Sequence, residues 1–224
     1  MTGSELRFRL PGRWFSVDLS DEAATDASVR RIARDAVGVT DDRAAERGAV
    51  RRRLREAVRA GASGDIRALM FAAEIAPDTP LPVTLLVFEP SDLRMSPAIG
   101  TAPEKVLGVM AEALARLDPD AHASMVEVAG PGVPALRTHR VDAVHDDPEM
   151  EGVARLSADY WVPVPDTKQV LVVRLSTPFG DLENLMLSLF DGFVAAAFFA
   201  AERPSPLRGD LRNELRAARV DRPR

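Results

Sequence analysis

The chain has no cysteine among its 224 residues, which excludes disulfides, thiolate zinc centres and a cysteine nucleophile. Lysine is nearly absent: Lys105 and Lys168 stand against 27 arginines, and neither follows the glycine spacing of a phosphate-binding loop. Arginine fills every kind of position, as expected of a GC-rich coding sequence. Aromatics make up 5% of the chain, with Tyr160 the single tyrosine and Trp14 and Trp161 the two tryptophans. Long apolar runs are missing too. The best candidate, residues 182–201 (LENLMLSLFDGFVAAAFFAA), carries Leu182, Leu185, Met186, Leu189, Phe190, Phe193, Val194 and Ala197 at helical spacing. Asn184, Ser188 and Asp191 lie between them. A membrane span would be apolar all round, so this segment reads as a core helix. The opening stretch lacks the apolar core of a secretion signal, so the expectation is a cytoplasmic protein with no membrane partner.

What remains is an ordinary globular composition, 46% apolar and 28% charged, with a length that suits one large domain or two small ones. A Pro-Gly turn at 11–12 precedes a first strand over RWFSVDL. Two helices follow within 26–61, the first with Val29, Ile32, Ala33, Ala36 and Val37 on one face, the second capped at Thr40. Residues 66–75 and 82–90 form a hairpin of buried strands. Thr101 and Glu104 form a capping box for a third helix ending before Pro119. Strands at 124–129 and 135–144 flank a Gly-Pro-Gly turn. The run 154–164 alternates, with Tyr160 on its apolar face and Arg155, Ser157, Asp159 and Trp161 on the other. Residues 168–176 read as an interior strand. The fold class expected is α+β: one domain over 1–202, a mostly antiparallel sheet with helices packed on it, the helical pair 26–61 inserted after the first strand, and a basic tail at 203–224.

LPGRWFSVDL near the start, and the layout of residues 160–199 (aromatic strand, turn, apolar strand ending in Ser-Thr-Pro, helix with a Phe-Asp pair), resemble PsbP-like domains and their actinobacterial LpqN-like relatives. The likeness spans roughly residues 10–200 in element order. It implies a fold whose members are mostly non-enzymatic binding or accessory proteins, and no particular ligand.

No motif in the chain carries chemistry. His139, His145, Asp146, Asp147, Glu149 and Glu151 are the one metal-like set, without the spacing of a helical His pair or an EF-hand, and read as an acidic turn. No G-x-S-x-G elbow and no dinucleotide loop is present. No catalytic residue, cofactor or metal is therefore expected. The reading is a non-catalytic protein-interaction or accessory protein, with a protein partner or a second copy as counterpart. A small-molecule or lipid carrier with a pocket between sheet and C-terminal helix, lined by Phe190, Phe193 and Phe198, is the alternative. A hydrolase with a site assembled from distant residues comes third.

Charge is segregated along the chain. Residues 1–61 carry net +3, residues 62–202 net −12 and residues 203–224 net +4, for a total of −5. In RAAERGAVRRRLREAVRAG (43–61), Arg51, Arg52, Arg55 and Arg59 gather away from Val50, Leu54, Ala57 and Val58. An acidic body repels a polyanion beyond the reach of one helix, so these arginines are expected to meet carboxylates and no nucleic acid. Trp14 and Trp161 complete the interaction candidates. Trp161 faces away from Tyr160, either as an exposed indole or beneath a second covering helix.

Overall fold

The computed structural model describes residues 4–60, 64–76, 79–91, 93, 95, 100–128, 133–144 and 152–201. Their elements run in order: β1 (Ser4–Arg7), β2 (Arg13–Ser16), α1 (Glu22–Val37), a 3-10 turn (Asp41–Arg43), α2 (Ala44–Ala60), β3 (Gly64–Ala76), β4 (Thr79–Pro90), α3 (Pro103–Leu117) and α4 (Pro119–Ala123). Then come β5 (Val126–Val128), β6 (Ala135–Ala143), β7 (Ala154–Pro163), β8 (Val170–Thr177), α5 (Glu183–Ala195) and β9 (Phe198–Ala201). The fold is α+β. Seven strands form one antiparallel sheet in the order β2-β3-β4-β8-β7-β6-β5, and β1 pairs with β9 in a separate ribbon.

Strand alternation sorts the sheet into two faces. On one, Leu85 and Val87 of β4, Leu156, Ala158 and Tyr160 of β7, and Val173 and Leu175 of β8 pack under Met186, Leu187, Phe190, Phe193 and Val194 of α5. The other face is covered in two pieces. Val29, Ile32 and Ala33 of α1 with Val50 and Leu54 of α2 meet Leu69, Phe71, Leu86 and Phe88. Val106, Leu107 and Met110 of α3 meet Leu136 and Val170.

Local chemistry sets several boundaries. Asp21 caps α1 by accepting from the Ala24 amide at 2.7 Å, so the helix starts a turn before the expected residue 26. Ala102, not Thr101, occupies the cap of α3 and makes no side-chain cap bond. Pro103 at the first helical position holds Ala102 extended and leaves Thr101 one residue outside, so the capping box does not form. Thr40 likewise makes no side-chain cap bond, and a 3-10 turn precedes α2. Gly12, at φ +74°, lies so close to the β3 backbone that a Cβ would sit 2.6 Å from the Ile75 carbonyl oxygen. Beside it the Trp14 indole donates to the Pro11 carbonyl at 2.8 Å, closing the Pro-x-x-Trp segment.

The largest departure is at the C-terminal helix. It ends at Ala195, and Phe198–Ala201 cross to pair with Arg7–Ser4. Leu182 and Leu185, expected in the apolar stripe, are 49% and 62% exposed, and Leu187 is buried in their place. Asp191 turns inward. The Gly-Pro-Gly turn, Gly61, His145 through Glu151 and the tail 203–224 lie outside the described residues.

Candidate functional site: an arginine-lined cleft

On the face carrying the helical pair, strand register lines up residues across four strands. Phe88, Val172, Trp161 and Leu136 form an apolar row. The next row is mixed: Leu86, Arg174, Asp159 and Thr138. The row after it is polar throughout: Thr84, Ser176, Ser157 and Arg140. Central strands beneath a helical layer ordinarily carry apolar side chains on both faces. Here the polar row floors a cleft of about 270 Å³, walled by Ala49, Arg52, Arg53, Glu56 and Ala57 of α2.

Five arginines line this cleft, Arg52, Arg53, Arg140, Arg155 and Arg174, with Glu56 the one carboxylate in its wall. Arg174 is set in place from the floor. Its Nε and Nη2 donate to the two Asp159 oxygens at 2.6 and 2.7 Å, and its guanidinium lies 5.6 Å from the Phe88 ring centre. That pairing raises the arginine pKa above its already high value, against the opposing effect of burial. Arg155 meets Glu56 at 3.7 Å, too far for a hydrogen bond, and Arg140 Nε donates to Asp142 at 2.9 Å. Thr84 is 2% exposed and its hydroxyl has no hydrogen-bond partner. A buried hydroxyl in that state costs about 1–3 kcal/mol.

The opposite face holds a different polar set. Asp191 of α5 accepts from the Tyr160 hydroxyl at 2.7 Å and from Arg137 Nη1 at 2.5 Å. His139 Nε2 lies 2.9 Å from Glu183 at the start of the same helix. Burial, and then the Asp191 carboxylate, push the Tyr160 phenol far above its usual range, so it neither ionises nor serves as a base. What this cluster does is fasten α5 to β6 and β7. Among the described residues no group of three or more His, Cys, Asp or Glu side chains is placed to hold a metal.

The four arginines singled out by helical spacing do not act as one outward face. Arg52 turns to the cleft. Arg51 lies in a groove toward α1 with Arg30, Arg34 and Arg47. Arg55 ties α2 to α1 through Asp26 at 3.1 Å, and Arg59 is exposed, its Nε 3.4 Å from the Arg55 carbonyl. Trp14 is half-buried, edge-on to Phe193 at 5.8 Å. Trp161 is covered rather than exposed. Its ring packs against the clusters under α2 and α3, and its indole nitrogen is buried without a partner. Phe190 and Phe193 pack inside the core, and Phe198 belongs to β9.

Arg53, Arg140, Arg174 and Thr84 were not distinguishable from their neighbours in the sequence. The available signals were the Arg155-Ser157-Asp159 face of β7 and an arginine inside the otherwise apolar run KQVLVVRLS. No family model matches the chain, and no curated protein matches it. Among solved structures it is similar to LpqN, described as involved in cell envelope biogenesis of Mycobacterium tuberculosis, at 11% identity over 89% of this chain and 85% of that one, with a TM-score of 0.40. The likeness is weak and of fold alone; it carries no function to this chain and says nothing of PsbP.

Proposed function

We propose that this chain is a non-catalytic binding protein that engages an acidic segment of a protein partner through the arginine-bearing layer of α1 and α2. The observation that supports it is the placement of charge around α2. Arginines flank its buried stripe on both sides, Arg47 and Arg51 toward α1 and Arg52 and Arg53 toward the sheet. Guanidinium forks match carboxylates two bonds at a time, which gives register as well as attraction. The acidic remainder of the chain opposes a long polyanion such as a duplex. Arg55, which ties α2 to α1 through Asp26, is left in place so that the helical pair keeps its contact.

The probe is a fluorescein-labelled glutamate-rich decapeptide, compared with labelled duplex and single-stranded DNA at about 0.15 M salt. The expected result is peptide binding that is lost in the triple variant Arg51→Glu, Arg52→Glu, Arg59→Glu, whose melting temperature stays close to that of the parent. Sub-micromolar duplex binding lost in the same variant would overturn the reading.

A further inference from the structure

The helical pair carries a charge pattern along its own seam, away from the cleft. Asp26 of α1 meets Arg55 of α2 at 3.1 Å. Nearer the connection between the helices, Arg47 donates to the Gly38 and Thr40 carbonyls at 3.0 and 2.6 Å. Rising numbers on α1 therefore meet falling numbers on α2, as in an antiparallel helical hairpin. One turn along both helices from Asp26 and Arg55 stand Arg30 and Arg51, and a further turn brings Arg34 and Arg47. The register that makes an ion pair at one level thus sets arginine beside arginine at the next two. All four arginines line a groove of about 450 Å³ with Ala27 and Ala33, and no carboxylate lines it.

The acidic residues closest in sequence turn elsewhere: Asp26 to Arg55, Glu46 to Arg43 at 2.6 Å, and Asp35 to a separate groove beside Phe15 and Pro80. Like charges one turn apart destabilise a helix, and here they recur within each helix and across the pair. A glutamate at position 30 or 34 would continue the ladder that Asp26 begins. An arrangement less stable than so simple an alternative is characteristic of recognition. The groove is also reachable, with Arg30 and Arg34 exposed and Arg47 and Arg51 half-buried. Arg47 is held ready by the two carbonyls, which occupy one of its three nitrogens.

The two banks decide the class of anion. A glutamate brings one charge and two oxygens in a plane, enough for the fork of one arginine. A phosphate ester brings close to two charges and three terminal oxygens, and it can accept from α1 and α2 at once. We propose that the groove formed by Arg30, Arg34, Arg47 and Arg51 seats a phosphorylated serine or threonine of the acidic partner segment. This rests on the acidic-partner reading and names the residue that anchors the partner.

The experiment uses the full chain and the labelled glutamate-rich decapeptide, made with serine, glutamate or phosphoserine at one central position, at about 0.15 M salt. The phosphoserine peptide should bind about tenfold more tightly than the glutamate version, the size of one added charge-assisted hydrogen bond. The double variant Arg30→Gln, Arg34→Gln should remove that preference while melting no lower than the parent, because like charges are relieved. Arg116→Gln, on the exposed side of α3, should keep the preference. Free phosphoserine should compete only weakly, since it lacks the flanking carboxylates; competition equal to that of the phosphopeptide would assign the groove to a free metabolite and overturn the proposal. Equal binding of the phosphoserine and glutamate peptides, or a preference that survives in the double variant, also overturns it and leaves the acidic-partner reading standing. Binding of neither peptide overturns both.

Discussion

On one side of the sheet Leu156, Tyr160, Val173 and Leu175 are closed under α5; on the other, Arg155, Ser157, Arg174 and Ser176 of the same two strands floor an open cleft. The closed side admits polar groups only where they find partners. Tyr160, Arg137 and Asp191 meet in one knot, and the acidic member comes from the covering helix itself. The open side keeps a row of hydroxyls and cations where valines would pack under a helix and add stability. Residues that contribute less to stability than their alternatives, at the centre of a sheet, are characteristic of a recognition site. The two-residue period of the backbone therefore gives the same strands one sealed apolar face and one polar face lining a cleft.

The largest expected effect tests the closed side. Tyr160→Ala should cost about 4 kcal/mol, as truncation of a fully buried aromatic does, and should also leave Asp191 one bond short. Ser157→Ala, three residues along β7 and on the opposite face, should stay within about 0.5 kcal/mol of the parent. Urea unfolding measures both. Comparable losses would mean that the cleft floor is core and the contrast between the faces is false. Trp161→Ala falls between them, because the half-buried indole packs in two clusters while its own N–H is unsatisfied.

That intermediate value shows where the sequence stopped informing. Period-two alternation in β7 placed Tyr160 and Trp161 on opposite faces correctly, because the backbone dictates it. Whether the second face was covered depended on α3, more than forty residues earlier in the chain, and no local pattern carries that. The seven strands of the main sheet, with the hairpin read at 66–75 and 82–90, and the helices α1, α2 and α3 were legible from apolar spacing, whereas β1 and β9 were not. The break after Ala195 was not, since Ala-Ala-Ala-Phe-Phe-Ala-Ala satisfies a helical period and a buried strand equally. The partner that decides it, β1, lies at the other end of the chain. The site was half legible. The polar face Arg155-Ser157-Asp159 was visible, but its meeting with Thr84, Arg174 and Arg53 is a product of sheet order. Helical spacing also treated Arg51, Arg52, Arg55 and Arg59 as one group, when neighbours on both sides of α2 divide them.

A second, somewhat smaller effect concerns the knot under α5. Asp191→Ala leaves the Arg137 guanidinium, 10% exposed, without its carboxylate. The expected loss is about 3 kcal/mol, at the low end for a broken buried pair because the Asp191 side chain is 31% exposed. Asp191→Asn should recover part of it by still accepting from Tyr160. The alkaline limb offers a sharper reading, since Tyr160 is the single tyrosine. Its folded pKa is raised, chiefly by burial, while the unfolded chain ionises near 10. Below that pH the stabilisation is complete. Above it the unfolded state binds fewer protons than the folded one, so stability falls by about 1.4 kcal/mol per pH unit. Tyrosinate absorbance should appear only as the protein unfolds, and Tyr160→Phe should lack this slope.

The smallest effect bears on the open side, and it decides whether the cleft is a site or a seam. Arg155 and Glu56 form a cross-wall ion pair between α2 and the β7 floor, 3.7 Å apart with both side chains 36% exposed. If α2 were held onto the sheet by charge, this contact would couple strongly and any anion entering the cleft would have to break it. The distance and exposure argue otherwise: a solvent-screened pair of this kind is worth less than about 0.5 kcal/mol. A double-mutant cycle with Arg155→Ala and Glu56→Ala should therefore show near-additive losses in urea unfolding, and α2 should owe its position to Val50 and Leu54 in the core beneath it. A coupling above about 1 kcal/mol would make the arginines part of the helix-to-sheet interface, and the cleft would lose its claim to be a binding surface. Weak coupling leaves Arg155 available to exchange Glu56 for an incoming anion at little cost, which is what separates the open face from the closed one.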